Sequence, residues 1–172
     1  MAVIANGGML MMPQVVSKII ARDGHVVSKF DPVPVRRVIS ESTAKRVTDA
    51  LKDVVTKKGT AERASVEGFH VAGKTGTAQK VNPLGGGYLS EKYIVSFCGF
   101  MPADDPAFVC YVLLDDAVTV PGGNYGGLVA APIFANVARK AARLLDLQPD
   151  PALLTPAKPE LAKASYTTNR RD

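Results

Sequence analysis

The sequence predicts an α+β fold, an antiparallel sheet flanked by helices. Two apolar, β-rich runs joined by turn residues, Tyr93–Phe100 and Ala107–Leu114, supply the centre of a sheet. Two stretches with helical spacing of apolar residues, 42–58 and 128–147, stand before and after them. A hydrophobic content of 47% in 172 residues is enough for one real core.

Taken in order, Met1–Gly8 reads as the last turns of a helix, stopped by Asn6-Gly7-Gly8 in a left-handed close. A chain that opens this way is expected to be part of a longer one. Residues 14–30 read as a hairpin, because Asp23-Gly24 separates two β-rich runs and both turn positions favour positive φ. His25 beside that turn reads as a solvated strand residue, and Pro32 and Pro34 end the hairpin. In the 42–58 helix Val47, Leu51, Val54 and Val55 share a face; Ser40 or Ser42 caps its start and Gly59 its end. Residues 69–80 read as a glycine-rich strand and 93–100 and 107–114 as its partners. A second glycine-rich loop, Pro121–Gly127, leads into the 128–147 helix. Pro132 is expected near that helix's start, and Val129, Ile133, Val137, Ala141, Leu144 and Leu145 are its expected apolar stripe. Residues 1–147 are expected to form a domain. From Gln148 to Asp172, prolines and mixed charges predict a disordered tail.

Composition excludes several classes of function. The formal charge of +5 is scattered, and with no Trp and 6% aromatic residues a nucleic-acid partner is not expected. Apolar runs fall short of the ~18 residues a membrane span needs, and the first residues do not read as a secretory signal. Membrane contact is expected only through an upstream anchor. Cys98 and Cys110 are too few for a disulfide framework and read as buried thiols, although a bridge across the hairpin stays open. No metal or cofactor is expected.

Chemistry concentrates in Gly68-Phe69-His70-Val71-Ala72-Gly73-Lys74-Thr75-Gly76-Thr77. From Gly68 these residues fit the phosphate-loop pattern G-x-x-x-x-G-K-[ST]; from Lys74 they give Lys-Thr-Gly. A phosphate loop needs a turn between a strand and a helix, so that backbone N–H groups surround the phosphates. Here the free positions are β-prone, and Gly76, Asn82-Pro83 and Gly85-Gly86-Gly87 forbid a following helix. Val112-Leu113-Leu114-Asp115-Asp116 resembles the strand-plus-Asp that holds magnesium in nucleotide enzymes, but it belongs to an antiparallel hairpin. His70 reads as a plain strand residue with no partner to name. Lys-Thr-Gly asks for the opposite setting, a strand beside antiparallel strands and a C-terminal helix, and that setting follows. There Lys74 supplies positive charge, Thr75 and Thr77 supply donors, and Gly76 lets an extended ligand lie along the strand edge.

The order and approximate spacing of further segments extend the match. They are Ile4-Ala5-Asn6-Gly7-Gly8 with Pro13, Gly59-Thr60-Ala61, Val71–Gln79, Ser96–Pro102, Tyr125-Gly126-Gly127 and Ala131-Pro132-Ile133-Phe134. Over residues 1–147 the chain strongly resembles the C-terminal half of a penicillin-binding protein transpeptidase domain, class B-like, of the serine β-lactamase/transpeptidase-like fold.

The resemblance implies a peptidoglycan D,D-transpeptidase that acts through a serine acyl-enzyme. Its ligands would be stem peptides and β-lactam antibiotics, and its partners other cell-wall synthesis proteins of division or cell shape. It would be membrane-anchored in the bacterial envelope, on the periplasmic face of the inner membrane. By the resemblance, Lys74 and Thr77 are catalytic, and Thr75, Gly76 and Thr77 bind substrate. The family's nucleophile S-x-x-K and its S-x-N element precede Lys-Thr-Gly by long stretches. This sequence has no S-x-N, and its one S-x-x-K, Ser42-Thr43-Ala44-Lys45, falls in a helix the family places after those elements. Ser42 therefore reads as a helix-cap residue, and these residues alone are expected to be inactive. A nucleotide-binding protein using Gly68–Thr75 and a β-lactam sensor or hydrolase are the alternatives.

Overall fold

The structure is a computed structural model that describes residues 1–117 and 123–154, and it centres on a long strand, β6 (Tyr88–Met101). β5 (Ala72–Val81) pairs antiparallel with one edge of β6 and β7 (Phe108–Asp115) with the other. The expected three strands are thus present, the first starting at Ala72 rather than 69 and the second reaching back to Tyr88.

Alternation along the strands sends Phe97 and Met101 of β6 into one core, with Phe108, Cys110, Val112 and Leu114 of β7 packed against it. The helix α3 (Gly126–Leu144) covers that face, and its Phe134 ring meets Phe97 edge-on with centroids 4.9 Å apart. The face it buries is Ala130, Ala131, Phe134, Ala135, Ala138 and Ala142. The expected stripe is corrected here: Ile133, Val137, Leu144 and Leu145 are exposed, Leu144 at 86%. Alanines let the helix axis approach the sheet closely, which larger side chains on the same face would prevent. α3 also starts earlier than residue 128, so Pro132 lies inside it and leaves one i−4 carbonyl without its helical bond.

Among the described residues, the opposite face of the sheet is covered at one end only. Ala72, Phe100 and Ala103 pack there against Met1, against Ile4 and Ala5 of α1 (Ala2–Ala5), and against Leu51 of α2 (Glu41–Asp53). Ser40 caps α2, its Oγ accepting from the Thr43 N–H at 3.1 Å. α2 ends at Asp53, short of the expected 58, because the next residues leave one core for the other. Leu51 packs against the α1 cluster, whereas Val55 and Ala61 are buried beneath α3. Gly59 consequently sits in the crossing loop, which is closed by an Ala61 N–H to Val54 carbonyl bond of 2.8 Å.

The expected hairpin is present as β2 (Lys18–Ile20) paired with β3 (Val26–Lys29). Its turn differs from expectation. Gly24 alone has positive φ, 91°, and its N–H bonds to the Ala21 carbonyl at 3.0 Å, giving a three-residue loop in place of a two-residue one. Pro34 opens a strand rather than ending the hairpin: β4 (Pro34–Arg37) pairs with β1 (Met9–Met11), where a proline is tolerated at an edge. Gly7 and Gly8 close α1 with φ of 60° and 92°, as expected.

Register also decides the cysteines. Cys98 opposes Tyr111 and Cys110 opposes Gly99, so the two thiols stand on opposite faces of the sheet, and both are free. At the start of the expected tail, Asp150 N–H bonds to the Gly68 carbonyl at 2.8 Å and Pro151–Leu153 form a short 3-10 turn. The rest of that tail, 155–172, and residues 118–122 at the second glycine-rich loop lie outside the described residues. No described helix is long and apolar enough to cross a membrane.

Candidate active site

β5 carries Lys74-Thr75-Gly76-Thr77 along an edge of the sheet, with β6 as its one strand neighbour among the described residues. Alternate backbone groups on its outer edge therefore have no ladder partner there. Lys74 and Gly76 point to the face of α1 and α2, Thr75 and Thr77 to that of α3, as the register with Cys98, Phe97, Ser96 and Val95 requires. The Lys74 ammonium nevertheless reaches around the edge, donating to the Thr75 carbonyl at 3.1 Å and to Thr75 Oγ1 at 3.4 Å. It makes no ion pair with a described carboxylate. Beside it opens a groove of about 550 Å³, walled by Thr43, Arg46, Val47, Ala50, Leu51 and Val54.

Two close approaches build the rest of the site. A Cβ at Gly76 would stand 2.5 Å from Ser96 Oγ, so any side chain there would displace Ser96 and raise the strand surface. At the start of α3, a Cβ on Gly127 would overlap the Thr60 carbonyl oxygen, so only glycine lets the helix abut the crossing loop. That loop places Thr60 Oγ1 3.4 Å from Thr75 Oγ1. The Thr77 hydroxyl is exposed and has no hydrogen bond to a described residue. The structure thus brings Lys74 and Thr75 together, with Gly76 and Thr77 next along the same edge.

The phosphate-loop alternative fails on this geometry. Lys74 and Thr75 are paired within the β5–β6 ladder, no helix follows them, and the chain continues as strand to Val81. Asp115 at the end of β7 is bound to Lys80 at 2.8 Å. Ser42 lies in the first turn of α2, its Oγ 2.9 Å from the capping Ser40 Oγ, and Lys45 is exposed. Among the described residues no three His, Cys, Asp or Glu side chains gather as a metal site.

One polar cluster was not expected. His70 Nδ1 lies 2.7 Å from Asp104 Oδ2, and Lys52 of α2 donates to Asp104 Oδ1 at 2.5 Å and to Asp49 at 3.4 Å. His70 is thus partnered, contrary to the sequence reading. The bond from Lys52 holds the Asp104 carboxyl below the usual carboxylate range, against burial and with help from His70. His70 and Lys52 stand 34 and 52 residues from Asp104, so no local pattern announces the cluster. His25 is likewise paired, with Asp23 at 2.6 Å, although exposed.

Comparison with known proteins gives a consistent result. Residues 1–139 match the family model of the penicillin binding protein transpeptidase domain. The chain is 45% identical over 147 residues to stage V sporulation protein D of Bacillus subtilis, covering 84% of this chain and 22% of that protein. It is 38% identical over 135 residues to the peptidoglycan D,D-transpeptidase FtsI of Escherichia coli, covering 78% of this chain and 22% of that protein. Among solved structures it is similar to penicillin-binding protein 3 of Mycobacterium tuberculosis complexed with ampicillin, with TM-score 0.71 and 32% identity, over 91% of this chain and 35% of that one. The transpeptidase domain of penicillin-binding protein 3 from Burkholderia pseudomallei matches with TM-score 0.66 and 34% identity, over 86% of this chain and 40% of that one. The chain thus spans 22% of the length of these two curated relatives.

Proposed function

Because this chain belongs to the penicillin-binding protein transpeptidase domain family, we propose that it forms the Lys-Thr-Gly wall of a serine D,D-transpeptidase site. The complete protein cross-links peptidoglycan stem peptides and is acylated by β-lactams. The observation that carries this reading is the Lys74 ammonium, without a carboxylate partner among the described residues, at an open strand edge and bonded to Thr75. An extended peptide ending in a carboxylate meets there a cation, two threonine hydroxyls and backbone groups free for strand pairing. The activity named for the Escherichia coli relative and the ampicillin bound by the Mycobacterium tuberculosis neighbour support it.

In this mechanism Lys74 holds negative charge in the cleft. Thr75 and Thr77 hydroxyls donate to the carboxylate of substrate or drug, and Gly76 keeps the strand low enough for the ligand to lie along it. The Thr77 N–H donates to the oxyanion. A serine oxygen bonds to the penultimate D-Ala carbonyl carbon, its proton passing to a nearby base. The tetrahedral intermediate then breaks its C–N bond and expels protonated D-Ala. An amine of a second stem peptide displaces the serine to form the cross-link. On this reading the attacking serine comes from outside these 172 residues, which the place of the one S-x-x-K here beside a helix cap supports. The site works in the bacterial envelope, on the periplasmic face of the inner membrane, with other cell-wall synthesis proteins of division or cell shape.

Lys74→Ala in the complete protein tests this. Acylation by a fluorescent penicillin is expected to slow by about 10²-fold or more, with thermal stability little changed. Unaltered acylation would remove Lys74 from the site.

A further inference from the structure

The geometry points to Thr60 as a positioning residue that fixes the Thr75 hydroxyl as an outward hydrogen-bond donor to a ligand carboxylate, an inference that rests on the transpeptidase reading of the site. A threonine hydroxyl has one proton and two lone pairs. The Lys74 ammonium has only protons to give, so at 3.4 Å it occupies one lone pair of Thr75 Oγ1. Thr60 Oγ1 lies 3.4 Å away as well, where either hydroxyl can donate; with Thr60 as the donor, its proton fills the second lone pair. Both acceptor positions of Thr75 are then taken by neighbours, and the Thr75 proton turns to the open strand edge. With the opposite polarity, Thr75 donating to Thr60, the hydroxyl would offer a lone pair to an incoming carboxylate and repel it.

Thr60 is held where this role requires. Ala61 beside it is 1% exposed and its N–H is bonded to the Val54 carbonyl at 2.8 Å. The Thr60 carbonyl is pressed against Gly127 at the start of α3. The crossing loop, the strand edge and the helix start thus fix one hydroxyl relative to another 15 residues away in sequence.

The experiment uses the complete protein with Thr60→Val, Thr60→Ser, Thr75→Val and the Thr60→Val/Thr75→Val double variant. Acylation rate constants are measured with a penicillin bearing its free carboxylate and with the methyl ester of the same compound. Thr60→Val is expected to slow the free acid about tenfold, the worth of one hydrogen bond, and to leave the ester unchanged. Thr60→Ser restores the rate, and the double variant is no slower than Thr75→Val alone. Equal slowing of acid and ester by Thr60→Val, or full loss with Thr60→Ser, would overturn the inference in favour of a purely structural residue. Slowing of the acid by Thr75→Val but not by Thr60→Val would overturn it while leaving the site intact. Indifference of both Lys74→Ala and Thr75→Val would overturn the site reading beneath it.

Discussion

Phe134 is fully buried against Phe97 and the alanines that flank it on α3. Its truncation to Ala leaves a ring-sized void that backbone on both sides cannot close. Phe134→Ala is expected to cost about 3–5 kcal/mol in urea unfolding, whereas Val137→Ser, on the exposed face, stays within about 0.5 kcal/mol. Residue-scale legibility was divided in the same way. Lys74, Thr75, Gly76 and Thr77 could be picked out because a short motif carries them. The core face of α3 could not, because a hydropathy pattern favours large side chains, while close helix–sheet contact selects small ones. Thr60 was visible only as part of Gly59-Thr60-Ala61; its approach to Thr75 depends on a loop that crosses between two cores.

At the scale of elements, α2 is tied to the turn after β6 through Lys52 and Asp104, and that turn is tied to the start of β5 through His70. Asp104 titrates below its unfolded value of about 3.9, chiefly through the Lys52 bond. Its contribution to stability is therefore full above that value and is lost as pH falls through the depressed folded one. For Lys52, burial pushes the ammonium down, but the bonds from Asp104 and Asp49 outweigh it and the net shift is upward. Its contribution is full below about pH 10 and is lost as pH rises through the raised value. The tie thus holds from about pH 4 to about pH 10 and weakens at both ends. Asp104→Asn is expected to lower stability by about 1 kcal/mol or less, the carboxylate being more than half exposed. It should also flatten the acid limb of a plot of Tm against pH; an unchanged acid limb would exclude Asp104 as its source. The element boundaries that sequence missed share one cause. α2 stops at Asp53 because Val55 is needed in the other core, a demand of packing rather than of helical propensity. β1 and β4 are three and four residues long, and pairing across so long a loop has no local signature.

Over the whole molecule, one three-stranded sheet has α3 along one face and α1 with α2 at one end of the other. The order of the larger segments was legible, β1 and β4 excepted, because the turns, the longer strand runs and the helix spacing are local features. Which faces they present was not, because that depends on partners distant in sequence. Incubation of this chain alone with benzylpenicillin is expected to give no covalent adduct, and a mass shift at Ser42 would overturn the assignment of that serine to the α2 cap. The opposite placement of the two cysteines has a practical use. Cys98 stands opposite Lys74 on the face shared with the groove, whereas Cys110 belongs to the face under α3. Burial pushes both thiols up, so both need alkaline solution to react. The sheet carries its own pair of chemical labels, one reporting on the face of Lys74 and the other on the integrity of the packed side.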